Sequence, residues 1–209
     1  MHTQKQVDKD AYSFEKYAEE ERFVSYQAQL AEIMRTKPRS VMEVGVGDQV
    51  VGHYLKNNTP IAYTGVDIAD DVGADVIAPV TKLPFPDKSF DVSCAFEVLE
   101  HLPFDQFQPA LKELARVART HVLISLPHFG PMLSLSLKVP FLARARLAYK
   151  IPYPKTHVFN GQHYWEIGKR NYPTSRIRAE LERHGRITQD FVPFGSPYHH
   201  FFTLEIQSK

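Results

Sequence analysis

Residues 41–50 read VMEVGVGDQV. An apolar run broken only by Glu43 ends in Gly45 and Gly47, one residue apart. Two glycines at the end of a buried strand let a ligand approach the main chain, because no side chain stands in the way. The next residues, Gln49 to Lys56, place Val50, Val51, Tyr54 and Leu55 on one helical face. Strand, glycine loop and helix in that order form a site for an anionic group, since amides at a helix start point outward. Twenty residues beyond Gly47, the second apolar run IAYTGVD ends in Asp67. A carboxylate at that strand end is placed to accept two ribose hydroxyls.

The rest of the chain repeats the alternation. Residues 10–36 lack Gly and Pro and read as helix. ADVIA is a short third strand, and FDVSCAFE a fourth, apolar almost throughout, as strands buried on both faces are. Asp105 to Arg119 reads as a helix burying Phe107, Ala110, Leu111, Leu114 and Ala118. HVLISLP is a fifth strand, Thr174 to His184 a helix stopped by Gly185, and ITQDFVPF and HHFFTLEI are two closing strands. The expected fold is therefore α/β: a Rossmann-like, doubly wound, mostly parallel sheet with helices on both faces. The linker between the last two strands is too short for a crossover, so they should run antiparallel. All of 1–209 is read as a single domain, with residues 1–37 as an N-terminal helical segment.

Residues 128–171 break the pattern and read as an insertion covering the substrate side. They carry prolines 131, 140, 152 and 154 and many aromatics. FLARARLAYK, residues 141–150, follows Pro140 and reads as a helix with Phe141, Leu142, Ala145, Ala148 and Tyr149 on one face. Such a segment suits packing on the domain, and 132–150 is also a candidate for peripheral membrane contact. The 18 residues Thr120–Leu137 carry no charged side chain, but Pro127, Gly130 and Pro131 divide them into a strand, a turn and a second segment.

Charge is unevenly spread. Residues 1–113 hold 19 acids against 11 Lys/Arg, and residues 114–209 hold 5 against 14. Between Glu113 and Glu166 there are seven Lys/Arg and no acid, a field that attracts an anionic acceptor. The lone Cys94 forms no internal disulfide and sits mid-strand as a core residue. With no apolar leader at the N-terminus, a cytoplasmic location is expected.

A dinucleotide loop would want a third glycine at position 50, which is Val. VMEVGVGDQ, then GVDI, then LPFPDKSFDVSCAFEVLEHL instead resemble the class I S-adenosylmethionine-dependent methyltransferases. That resemblance implies a seven-stranded sheet with the last strand antiparallel and S-adenosylmethionine as cofactor. By matching position, it implies that Gly45 and Gly47 line the methionine part, while Glu43 holds the loop and the amino end. Asp67 would bind the ribose, and Ile68 would lie against adenine. Val80 and Thr81 would reach the adenine edge, Phe96 and Glu97 would approach the amino group, and His101 would stand by the transferred methyl as a catalytic base. The chain departs from the family pattern at Gln49, Pro79 and His128.

His128, His163, Tyr164 and Trp165 are the candidates for acceptor contact, the last three in GQHYWEIGKR, residues 161–170. No metal is expected, because the ten histidines show no ligand pattern such as H-E-x-x-H. The turn Ala-Phe-Glu-Val after the fourth strand lacks the Pro-Pro motif of amino-group methyltransferases acting on nucleobases or glutamine. The expected activity is methyl transfer to a small or lipid-linked, anionic acceptor. The alternatives are a catalytically silent cofactor-binding module and an RNA methyltransferase, although no separate RNA-binding module is visible and nucleic acid is not the expected partner. The sequence is silent on oligomeric state.

Overall fold

The computed structural model describes residues 12–141 and 145–206. Helices α1 (Phe14–Tyr17) and α2 (Glu20–Arg35) precede β1 (Ser40–Val44). Then follow α3 (Val50–Asn58), β2 (Ala62–Asp67), β3 (Val76–Ile77), β4 (Phe90–Phe96), α4 (Phe107–Val117) and β5 (Ala118–Pro127). A hairpin of β6 (Met132–Leu137) and β7 (Ala145–Lys150) comes next, then α5 (Thr174–Leu181), β8 (Arg186–Phe191) and β9 (His199–Glu205).

Seven strands form one sheet in the order β3-β2-β1-β4-β5-β9-β8. β1 pairs in parallel with both β2 and β4, β4 pairs in parallel with β5, and β9 runs antiparallel to β5 and β8. Strand order therefore reverses between β1 and β4. The crevice of such a sheet opens beyond the carboxyl ends of those two strands.

Alternation along the strands builds two cores. Met42 and Val44 of β1 face α4 and α5, packing with Phe107, Leu111, Leu114 and Leu181. Val41, Val92, Cys94 and Phe96 face the other way, against Ile33 of α2 and Val51 and Leu55 of α3. Cys94 is a buried free thiol, held protonated by burial and by nearby Glu43.

Three expected elements differ. Tyr54, placed on the buried face of α3, is 47% exposed, and Gly52 is buried beside Val51 and Leu55 instead. α5 ends at Leu181, short of Gly185. A Cβ at Gly185 would lie 2.6 Å from the Glu205 carbonyl oxygen, so the glycine admits β9 rather than stopping the helix. The largest correction is residues 145–150, expected as helix and found as strand β7. β6 reads MLSLSL, a period-two pattern, and pairs residue for residue with β7 from Leu137↔Ala145 to Met132↔Lys150. Cross-strand pairing over six residues outweighs the helical reading of one segment alone. Residues 142–144, including Arg144, lie outside the described residues.

The two ends of the 128–171 segment meet. Phe129 donates its N–H to Ile167 O and Ile167 its N–H to Pro127 O, so a two-stranded neck closes at the end of β5. Among the described residues no helix is long and apolar enough to cross a membrane.

Candidate functional site

β1 delivers Gly45 at φ +81° to the mouth of the crevice. A Cβ there would lie 2.3 Å from Cγ2 of Val98, so only glycine fits. Gly47 also has positive φ, +49°, with the Tyr12 ring against it. The loop is held from β2: Asp67 accepts hydrogen bonds from the amides of Val46 (3.0 Å) and Ala69 (2.9 Å). The Gly45 amide donates to Val66 O. Glu43, expected to hold this loop, instead accepts a 2.5 Å hydrogen bond from the Tyr63 hydroxyl. Burial raises its carboxyl pKa to about 8, although the Tyr63 bond opposes the shift. Gln49, at φ +62°, donates a side-chain amide hydrogen bond to Val72 O.

β4 delivers Phe96 and Glu97. Glu97 takes φ +53°, an unfavourable conformation for a non-glycine residue and one that tends to mark functional sites. Its Oε1 is buried and has no hydrogen-bond partner among the described residues. Its Oε2 lies 3.6 Å from His199 Nε2. Burial raises the Glu97 pKa to about 8.

One cleft gathers the ten residues Glu43, Gly45, Gly47, Asp67, Ile68, Val80, Thr81, Phe96, Glu97 and His101. It runs from the β2 and β3 ends, where Ile68 is 36% exposed, past the glycine loop to Glu97 and His101. His101 follows in a 3₁₀ turn, Leu99–His101. Burial, and then the nearby His163, lower its pKa to about 4, so the imidazole is neutral at neutral pH.

Tyr12, Tyr17, Arg22, Tyr26 and Gln29 complete the wall from the N-terminal side. The sequence reading assigned them no role. Positions 22, 26 and 29 fall one helical turn apart on α2, in line with core residue Ile33, and that spacing was the available signal. The Tyr26 hydroxyl donates to Asp48 at 2.5 Å, tying α2 to the glycine loop.

The four acceptor candidates separate. His163 stands edge-on to His101, with ring centroids 5.0 Å apart. Tyr164 follows it at 39% exposure, its amide donating to Glu100 O. Trp165 is fully buried, donates its indole N–H to Leu102 O, and packs against Phe104 and Phe107. It anchors the insertion to the core and does not line the cleft. His128 is also buried, stacked on His200 with Nδ1 atoms 2.8 Å apart. His200 Nε2 bonds Asp190 at 2.7 Å, so that nitrogen carries the proton and His200 Nδ1 accepts from His128. His128 lines a second pocket with Glu21, Lys150 and Tyr198. Two of the basic residues expected over the cleft are elsewhere: Lys150 lies in that second pocket, and Arg146 sits over the Phe194 ring.

Residues 42–125 match the family model described as a methyltransferase domain. No curated protein sequence matches the chain. Among solved structures, the chain is similar to the 1,6-didemethyltoxoflavin-N1-methyltransferase of Burkholderia thailandensis. Identity is 16%, with 92% of this chain and 81% of that chain covered and a TM-score of 0.62. It is also similar to a SAM-dependent methyltransferase from Aquifex aeolicus, at 14% identity, 96% and 100% coverage and a TM-score of 0.60. A third is the magnesium protoporphyrin IX methyltransferase of Synechocystis PCC 6803, at 15%, 90% and 83%, and 0.57. The first and third of these carry S-adenosylhomocysteine. At such identities the likeness fixes the fold, that of the Rossmann-like methyltransferases. The matched domain runs from β1 to β5, the part of that fold that carries the glycine loop and the strand-order reversal.

Proposed function

We propose that this enzyme transfers the methyl group of S-adenosylmethionine to a small or lipid-linked, anionic acceptor at the His101–His163 end of the cleft. The observation that carries the reading is Glu97. It lines the cleft just beyond a loop where glycine alone fits, and its Oε1 has no hydrogen-bond partner among the described residues. A carboxylate in that position suits the cofactor's ammonium, because a buried charge needs an opposite one. Arg22, on the facing wall, suits the methionine carboxylate. Asp67 keeps lone pairs for the ribose beyond its two amide bonds, and Ile68, Val80 and Thr81 supply the apolar end for adenine.

The cofactor supplies an electrophilic methyl when bound. The chain's own task is to hold an acceptor in line and keep water away, which in well-oriented systems is worth roughly 7–11 kcal/mol of the barrier. A neutral His101 can take the acceptor's proton. His163 and Tyr164 border His101 and stand on the acceptor side. Their backbone and ring contacts to residues 100–101 support that placement. The apolar face of the β6–β7 hairpin, with Leu133, Leu135 and Leu147 each more than 60% exposed, supports a lipid-linked acceptor or membrane contact.

The test is formation of S-adenosylhomocysteine from S-adenosylmethionine with panels of hydroxylated, carboxylated and prenylated acceptors. Product that depends on an acceptor supports the reading. Cofactor binding without turnover in every panel points to a silent module. A [4+2]-cyclase shares the fold at a TM-score of 0.55, so the fold alone does not dictate methyl transfer.

A further inference from the structure

Glu100 is completely buried, and neither of its carboxylate oxygens has a hydrogen-bond partner among the described residues. A carboxyl group so far out of water ionises only with a cation beside it. Two histidines stand there. Oε1 of Glu100 lies 4.0 Å from His101 Nε2, and the His163 ring meets the His101 ring edge-on. One ligand atom from each of the three side chains lies within 4.8 Å of the other two.

The outward sides of both rings are already tied. His101 Nδ1 is 3.2 Å from Gln162 O, so this nitrogen carries the proton and Nε2 the lone pair. His163 Nδ1 is 3.1 Å from Glu166 Oε1, and the Tyr198 hydroxyl donates to the same oxygen at 3.0 Å. A carboxylate or carbonyl behind each imidazole is the outer arrangement that orients metal-binding histidines.

We propose that Glu100, His101 and His163 bind a divalent first-row transition-metal ion at the acceptor end of the cleft. Two imidazoles and one carboxylate are a competent donor set that leaves coordination positions open. Ligand distances of about 2.0–2.2 Å require the three donors to draw inward by roughly half an ångström. This assigns a metal where the H-E-x-x-H criterion offered none. The ligands come instead from E-H at positions 100–101 and a histidine 62 residues on, brought in by the insertion.

The consequence for chemistry rests on the methyltransferase reading. His101 lines the cleft, so open positions on the ion face the acceptor. An acceptor hydroxyl bound there is acidified, its proton passing to solvent. His101 is then a ligand, and the ion replaces it as the source of acidity.

The test is titration of chelator-treated full-length protein with Co²⁺, followed by calorimetry and visible d–d absorption, with Zn²⁺ as competitor. One Co²⁺ per chain, displaced by Zn²⁺, is expected. Glu100→Gln and His163→Asn should each abolish the coloured complex. Glu166→Gln should weaken it by about 10–100-fold, as loss of an outer partner does. Should Glu100→Gln misfold, His163→Asn carries the comparison, with circular dichroism confirming its fold. Wild type binding Co²⁺ no better than His163→Asn overturns the site. S-adenosylhomocysteine affinity measured on the same samples keeps the two readings apart. Cofactor binding without Co²⁺ binding defeats the metal alone, and Co²⁺ binding without cofactor binding supports the metal while defeating the cofactor assignment.

Discussion

Asp67 accepts two main-chain N–H bonds, from Val46 and Ala69, and the same carboxylate faces the cleft. Substitution therefore has two effects that can be read separately. Asp67→Ala should lose loop order and ribose contact together, at about 1.5–3 kcal/mol per charged hydrogen bond. Calorimetry with S-adenosylhomocysteine should show affinity falling by at least tenfold, and the melting temperature should also drop. A variant with wild-type affinity would remove Asp67 from the cofactor site. Glu43 gives a prediction in pH. Its carboxyl is buried, faces Asp48 and Asp67 as well as the Tyr63 hydroxyl, and has its pKa raised from 4.5 to about 8. Between those values the folded chain holds a proton that the unfolded chain has released, so its contribution to stability falls as pH rises. His101, with its pKa lowered to about 4, adds the opposite slope only below its unfolded pKa of about 6.5. From pH 6.5 to 8 the ligand-free melting temperature should therefore decline, and Glu43→Gln should make the decline shallower, with Glu97, also raised to about 8, keeping a slope of the same sign. An unchanged slope in that variant would mean that Glu43 ionises normally. Glu43 is also where residue-scale legibility ended. The strand-end position of Glu43 and Asp67 followed from periodicity, but which of them holds the loop depended on Tyr63, a partner fixed only by the β1–β2 register.

At the scale of elements, legibility tracked how far an element's pattern depends on its neighbours. β1, β4 and α4 bury one clear face or two, and their periodicity alone carries them. α4 buries Phe107, Ala110, Leu111 and Leu114, as its spacing requires. β7 has no buried residue in its first five positions, so the segment carried no core pattern, and only pairing with β6 sets its conformation. The same pairing puts Leu133, Leu135 and Leu137 opposite Tyr149, Leu147 and Ala145 on one exposed face. If that face meets a lipid surface, Leu135→Ser with Leu147→Ser should abolish co-flotation with vesicles. The melting temperature should barely move, because neither side chain is in the core. Equal flotation of wild type and double variant would end the membrane proposal. Trp165 behaves oppositely. It is packed against the stacked rings of Phe104 and Phe107, so Trp165→Ala should cost about 3–5 kcal/mol as a cavity in the core. Chemical denaturation would measure that loss. A near-neutral result would mean that the insertion's return to the sheet does not depend on its anchor.

Across the whole molecule, the order β3-β2-β1-β4-β5-β9-β8 explains why residues far apart in sequence share one cleft. Every parallel strand from β1 to β5 ends at the same sheet edge, so the loops after β1, β2, β3 and β4 converge there without any residue specifying its neighbour. That is why the residues picked by motif spacing share one cleft, whereas the N-terminal wall of Tyr12, Tyr17 and Arg22 followed no strand end. The charge division proved a poorer guide to the cleft, since charge along a sequence does not say which surface it will occupy. Glu43 and Glu97 line the cleft together with Arg22, and Glu100 is buried near Glu97, all from the acidic half. A cleft so furnished suits a ligand carrying positive charge at the Glu97 end and a ribose at the Asp67 end. S-adenosylmethionine and S-adenosylhomocysteine have both features, whereas NAD carries a pyrophosphate, for which Val50 stands where a dinucleotide loop needs glycine. Either sulfur ligand at 100 times its dissociation constant should stabilise the chain by about 2.7 kcal/mol. For a domain of this size that is a melting shift of roughly 5–11 °C. NAD at the same concentration should produce none. A shift with NAD and none with S-adenosylhomocysteine would mean that the cleft serves a different ligand, and that the buried acids answer to another cation.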